Sequence, residues 1–212
     1  MRFNKHPIFL AVVCLVWLSG CAGPAPRQDE TQPAEISGDT TSIGSVGINP
    51  DVQREYRRAL AAMKAKQDKQ AERLLVAMAQ TYHGLAGPYV NLGIIYYRNG
   101  RPREAEQAFK KAIEVNPNRP DIYNHLGILL REEGRFREAR EAYGNALKLD
   151  PDYAYAHLNL GILYDLYLLD ADRALFHYQR YQALTPAHDQ QVAKWIVDLK
   201  RRIRPAQKTA VR

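Results

Sequence analysis

Two consecutive stretches decide the fold: residues 86–119, AGPYVNLGIIYYRNGRPREAEQAFKKAIEVNPNR, and residues 120–153, PDIYNHLGILLREEGRFREAREAYGNALKLDPDY. Set one above the other, they pair Tyr89 with Tyr123, Leu92-Gly93 with Leu126-Gly127, Ala105 with Ala139, Phe109 with Tyr143, Ala112 with Ala146 and Pro117 with Pro151. Each of these pairs is separated by 34 residues, and Leu160-Gly161 continues the series. Tyr89, Leu92, Gly93 and Tyr96 stand at i, i+3, i+4 and i+7, which is one face of an α-helix. Ala105, Phe109, Ala112 and Ile113 form the stripe of a second helix, and Asn99-Gly100 supplies the turn between the two. Pro117 closes the unit because proline cannot continue the preceding helix.

Outward from this pair the pattern weakens in both directions. Residues 154–187 give a fourth unit with His157, Leu160, Gly161, Tyr164, Ala174, Tyr178 and Pro186, but its turn, Tyr167-Leu168-Leu169-Asp170, lacks glycine and is one residue longer. Tyr181 takes the place of the small Ala112 and Ala146, so whatever follows must pack differently. Residues 49–84 read as a degenerate first unit: Ala59, Ala71 and Leu75 are in register with Gly93, Ala105 and Phe109, whereas Arg58 and Met78 depart from the pattern. Asn49-Pro50 opens that unit as an N-cap followed by proline at the first helical position. Residues 188–204 carry Val192, Trp195, Ile196, Leu199 and Ile203 on one stripe and read as a helix capping the last unit; the basic tail, 205–212, is expected to fray.

These units resemble tetratricopeptide repeats, whose signature is an aromatic residue, Leu-Gly, Tyr, Ala, an aromatic, Ala and Pro over 34 residues. The resemblance implies an all-α solenoid of about four helix-turn-helix repeats with a C-terminal capping helix. It also implies that the first helix of each unit lines a concave groove. Carrying the groove positions over gives Val90, Ile94, Tyr97 and Arg98, then Asn124, Ile128, Arg131 and Glu132, then Leu158, Ile162 and Asp165. The binding residues expected from this are Ile94, Tyr97, Arg98, Asn124, Ile128, Arg131, Ile162 and Asp165, and the ligand expected is an extended peptide or an amphipathic helix of another protein. The carboxylate clamp of chaperone-binding members is matched only in part, by Asn124 and Arg131, while Val90 and Leu158 replace polar positions. Capture of a C-terminal carboxylate is therefore not expected.

The first twenty residues are set apart from the fold. Arg2 and Lys5 precede an apolar run from Pro7 to Leu18, too short to span a bilayer comfortably but suited to a signal peptide over residues 1–20. The run ends Leu18-Ser19-Gly20-Cys21 and resembles the lipobox of bacterial lipoproteins, in which the cysteine is acylated after cleavage. Lipid attachment at Cys21 would anchor the chain to a membrane. Ala22, rather than aspartate, follows the cysteine, which by the family's sorting rule points to the periplasmic face of the outer membrane. Residues 21–48 are rich in Pro, Ser, Thr, Gly, Asp and Glu, cannot bury enough apolar surface to offset ordering entropy, and read as a disordered tether. Cys14 would leave with the signal peptide and Cys21 would carry lipid, so no disulfide is expected.

The chain is 46% hydrophobic and 25% charged with a formal net charge of +7, of which the signal segment supplies two, leaving about +5 on the processed protein. A moderately basic surface suits anionic lipid, glycan or an acidic protein; export directs it away from nucleic acid. No histidine forms a metal cluster with another His or Cys in the sequence, and there is no phosphate loop, serine elbow or HExxH motif. No catalytic residue, metal, cofactor or small-molecule substrate is therefore expected. The expected function is that of a non-enzymatic, periplasm-facing lipoprotein scaffold holding another envelope protein, similar in architecture to pilotin-type lipoproteins of pilus and secretin assembly. Alternatives are an adaptor for periplasmic peptidoglycan hydrolases or proteases, or an accessory of a TonB/ExbB-type system.

Overall fold

The computed structural model describes residues 49–186 and 189–210, with side chains to residue 203. Nine helices and no strand occur among the described residues. They are α1 (Pro50–Lys64), α2 (Asp68–Thr81), α3 (Ala86–Arg98), α4 (Pro102–Val115), α5 (Pro120–Glu132), α6 (Phe136–Leu149), α7 (Ala154–Leu166), α8 (Ala171–Leu184) and α9 (Gln190–Ala210). Each helix packs on the next, and the tightest associations are within α1–α2, α3–α4, α5–α6 and α7–α8, so the described residues form four stacked helical hairpins and a final helix. First helices of successive units also meet, α3 with α5 and α5 with α7. That places the odd-numbered helices on the inner layer of the stack and the even-numbered ones outside.

The reason for the Leu-Gly pairs is visible within each hairpin. A Cβ on Gly127 would lie 2.5 Å from Cε1 of Tyr143, and Gly93 and Gly161 lie as closely under the rings of Phe109 and Tyr178. The aromatic ring of the second helix thus occupies the space that any side chain on the first would need, and all three rings are fully buried. The first unit solves the same problem with smaller parts. Leu75 replaces the ring, Ala59 replaces the glycine, and both are completely buried. Alanines 71, 105, 139 and 174 have no exposed surface, which allows the helices of each pair to approach.

Helix boundaries follow local chemistry. Asn49 caps α1, its side chain accepting from the Asp51 amide at 2.9 Å, with Pro50 in the first turn. The turns of units 2 and 3 place Gly100 and Gly134 at φ 68° and 75°, a conformation costly for residues with a Cβ. In unit 4 the same position is held by Leu169 at φ 54°, and its side chain is 79% exposed. Between units, Arg101 and Arg135 act as charged clamps: Arg135 donates to Glu106 of the preceding second helix at 2.8 and 3.1 Å and to Glu138 at 2.9 and 2.6 Å. Arg101 does the same with Glu72 and Glu104.

The capping helix is longer than its sequence suggests. It continues through Pro205 to Ala210, six residues past the expected boundary at 204. Pro205 costs a backbone donor and a steric clash with the preceding turn, against which Ala206, Gln207 and Lys208 are good helix formers. Val192 and Leu199 are buried, and Trp195 packs on Tyr178 of α8 at 5.4 Å between ring centroids. Tyr181 donates toward Asp189 at 3.5 Å while Gln182 binds the backbone of Asp189, so the extra bulk of Tyr181 is absorbed where α9 begins. Allowing for the inserted residue, Ile196 stands where Gly93, Gly127 and Gly161 stand, so the ring-over-glycine closure of units 2 to 4 does not recur on α9.

Candidate partner-binding face

The inner layer carries the residues that the repeat pattern assigns to the groove, but it exposes few of them. Ile94, Ile128 and Ile162 are 1%, 3% and 7% exposed, so they serve the core rather than offering a surface. The repeat pattern assigns these three to the ligand-contacting groove; here they lie in the buried hydrophobic core. Val90 is likewise fully buried, whereas Leu158 is half-buried.

The polar members are drawn into a relay running along the inner layer. Asn91 donates to the Tyr56 hydroxyl at 2.6 Å, and Asn159 donates to Asn124 at 3.0 Å, each bond linking first helices of neighbouring units. Asn124 is therefore a buried inter-unit contact. Tyr97 donates to Glu132, one unit further on, and Arg131 lies buried with its guanidinium 4.0 Å from the same carboxylate. Arg98 reaches back to Asp68 in a two-pronged pair, which Asn99 joins at 2.9 Å.

At the far end, Asp165 is buried on α7 and receives Arg202 of α9 at 2.5 Å and the Tyr178 hydroxyl at 3.5 Å. Hydrogen bonding to Asp165 raises the Arg202 pKa above its ordinary value. The capping helix thus closes one end of the inner layer through a charge pair that the repeat pattern does not contain. Neither Arg202 nor Asp68 follows from the period, since one lies outside the repeats and the other in the degenerate unit.

Of the eight residues assigned to the groove, Tyr97 and Arg98 retain accessible side chains, joined by Glu132, Leu158 and Leu166. This is a strip of first-helix residues: an aromatic hydroxyl, a guanidinium and a carboxylate, each already hydrogen-bonded or ion-paired, with two aliphatic side chains on α7. Such a strip can lay apolar contacts and redirect a few hydrogen bonds to a peptide. Among the described residues there is no group of three or more His, Cys, Asp or Glu placed to hold a metal ion. No described helix is long and apolar enough to cross a membrane. Cys21, the expected lipid attachment point, lies outside the described residues.

Family models for the tetratricopeptide repeat match residues 87–119 and 108–141, and a further TPR repeat model matches residues 129–165. Comparison of the sequence with curated proteins gives no match. Solved structures of similar fold include PilF of Pseudomonas aeruginosa, at 20% identity and TM-score 0.66, with 73% of this chain aligned to 69% of that one. MamA of Desulfovibrio magneticus RS-1 aligns over 77% of this chain and 92% of its own at 17% identity and TM-score 0.63. YrrB, a TPR protein with an unusual peptide-binding site, aligns over 67% of this chain and 72% of its own at 21% identity and TM-score 0.55. At these identities the likeness is one of fold. Tetratricopeptide arrays are in general protein-interaction scaffolds rather than catalysts, their stacked units creating extended surfaces. Residues 87–165 thus match tetratricopeptide repeat models, and the described residues form an all-α solenoid of that fold.

Proposed function

We propose that this protein is a non-enzymatic lipoprotein of the outer membrane, anchored through lipid on Cys21 and facing the periplasm, whose inner strip around Tyr97 and Arg98 holds a segment of another envelope protein. The observation that carries this reading is the combination of a complete Leu18-Ser19-Gly20-Cys21 motif with a repeat array. The strip supports a protein ligand because its apolar side chains are flanked by hydrogen-bonding groups at helical-repeat spacing, a pattern that suits a peptide or an amphipathic helix. The lipobox followed by a repeat array, an architecture similar to that of pilotin-type lipoproteins, favours assembly of a pilus or secretin as the setting.

Two experiments test the parts separately. Cys21→Ser should release the protein from the membrane fraction or leave it uncleaved; a processed form that still fractionates with membranes would contradict lipid anchoring. A clean deletion should deplete multimeric secretin, and normal multimer in the deletion strain would remove the assembly role.

A further inference from the structure

The fourth unit contains a contact that the other units lack. His157 on α7 and His177 on α8 approach Nδ1 to Nδ1 at 3.0 Å, and Nε2 of His157 lies 3.1 Å from the carbonyl oxygen of Pro151. A carbonyl only accepts, so Nε2 of His157 bears the proton and its Nδ1 is the acceptor in the neutral ring. His177 must then donate through Nδ1. At the equivalent places units 2 and 3 have Tyr89 with Ala108 and Tyr123 with Ala142, pairs that do not titrate near neutrality.

Protonation of this pair has two unlike steps. A first proton goes to the remaining nitrogen, Nε2 of His177, and leaves the hydrogen bond intact. A second must go to Nδ1 of His157, after which two N–H groups on two cations face each other with no acceptor between them. We propose that the His157–His177 hydrogen bond is an acid-released joint, which lets α8 and the cap α9 loosen from α7 on acidification while the hairpin of unit 2 stays closed.

The surroundings favour the neutral pair. Tyr164 of α7 stacks on His177 at 5.6 Å, and Phe176 lies edge-on to both imidazoles. Burial, then the charges of His157 and Arg173, push His177 down to about 4 from its ordinary 6.5. Burial also lowers His157, with Arg180 acting in the same sense and the Pro151 carbonyl, Asp152 and Asp150 opposing. Because both folded values are depressed, the unfolded chain binds protons more readily. The stability this pair contributes is complete above about pH 6.5 and falls as pH drops toward about 4. The cap is tied to α8 because Trp195 rests on Tyr178 and Gln182 bonds the backbone of Asp189 where α9 begins, whereas Arg202 on Asp165 is a tie to α7 that the loosening must strain.

The test is hydrogen exchange by mass spectrometry on the full chain at about pH 7 and about pH 5, corrected for intrinsic exchange, comparing residues 154–203 with residues 86–115. Protection of 154–203 should fall about tenfold more than that of 86–115. His157→Tyr with His177→Ala, which installs the residues of unit 3, should abolish that excess. His125, also buried and lowered to about 4, is unchanged in the variant and so cannot account for the difference. No excess loss in the native chain, or the same excess in the double variant, would overturn the proposal. Should the double variant fail to fold, His177→Ala alone removes the donor and one of the two charges, and an undiminished excess there would overturn it equally.

Discussion

Units 2 and 3 close their helices as unit 4 does but differ from it in the turns and on the outer surface. All three hairpins seat an aromatic ring over a glycine, Phe109 on Gly93, Tyr143 on Gly127 and Tyr178 on Gly161. Outside that contact the fourth unit is rebuilt. Gly100 and Gly134 become Leu169 in the left-handed turn, and Arg101 and Arg135 at the helix N-termini become Asp170. Asp170 caps α8 by accepting from the Arg173 amide at 3.0 Å and pairs with the Arg173 side chain at 3.2 Å, which reverses the polarity of the Arg135–Glu138 pair. Glu72 and Glu106, which receive the clamps of units 2 and 3, are followed in register by Arg140. The hairpin contact therefore sets the fold, and the outer surface is free to diverge from one unit to the next.

The largest test of that separation is at the shared contact. Gly127→Leu and Gly161→Leu should each destabilise by about 3 kcal/mol or more, because a side chain there must displace a fully buried ring. Thermal unfolding should show similar losses for the two; a mild effect at Gly161 alone would mean that unit 4 does not share the packing of unit 3. Next in size is the cap. Arg202→Met should cost about 2 kcal/mol, since it removes a charged donor from the buried Asp165. Exchange protection should then drop in α9 before it drops in α3, and uniform loss along the chain would show that the cap is not a separate element.

The clamp of unit 3 comes third. Hydrogen bonding to Arg135 and Lys110 holds the Glu106 carboxyl at about 2, below its ordinary 4.5, against the opposing effect of burial. A depressed carboxylate contributes stability above about pH 4.5 that disappears as pH falls toward about 2. Glu106→Gln should cost about 1 kcal/mol at neutral pH and nothing near pH 2, measured by chemical denaturation. The smallest effect is expected at the turns. Leu169→Gly should stabilise by up to about 1 kcal/mol by relieving a left-handed leucine, and Gly134→Leu should lose about as much. Equal and opposite shifts would place the two turns in one conformational class.

The hairpins were legible in the sequence because their determinants recur. Gly127 under Tyr143 follows from the 34-residue period and from the simple fact that glycine alone leaves room for a ring. The inner face was legible only in outline. A period states which side of a helix points inward but not how far each side chain on it is covered; Ile94, Ile128 and Ile162 are buried, and Asn124 bonds to the neighbouring unit. Arg202 on Asp165 was hidden because α9 lies outside the repeat and its charged residues read as a solvated face. The His157–His177 pair was hidden by the one-residue insertion between them, which shifts α8 out of register with α6.

The central claim is that the inner strip, not the outer surface, holds a protein partner. A photo-crosslinking residue placed at Tyr97 in the full-length protein in cells should capture one envelope protein as a discrete adduct. The same residue at Gln107, exposed on the outer helix α4, should capture little. No adduct at Tyr97, or equal adducts at Tyr97 and Gln107, would contradict the account.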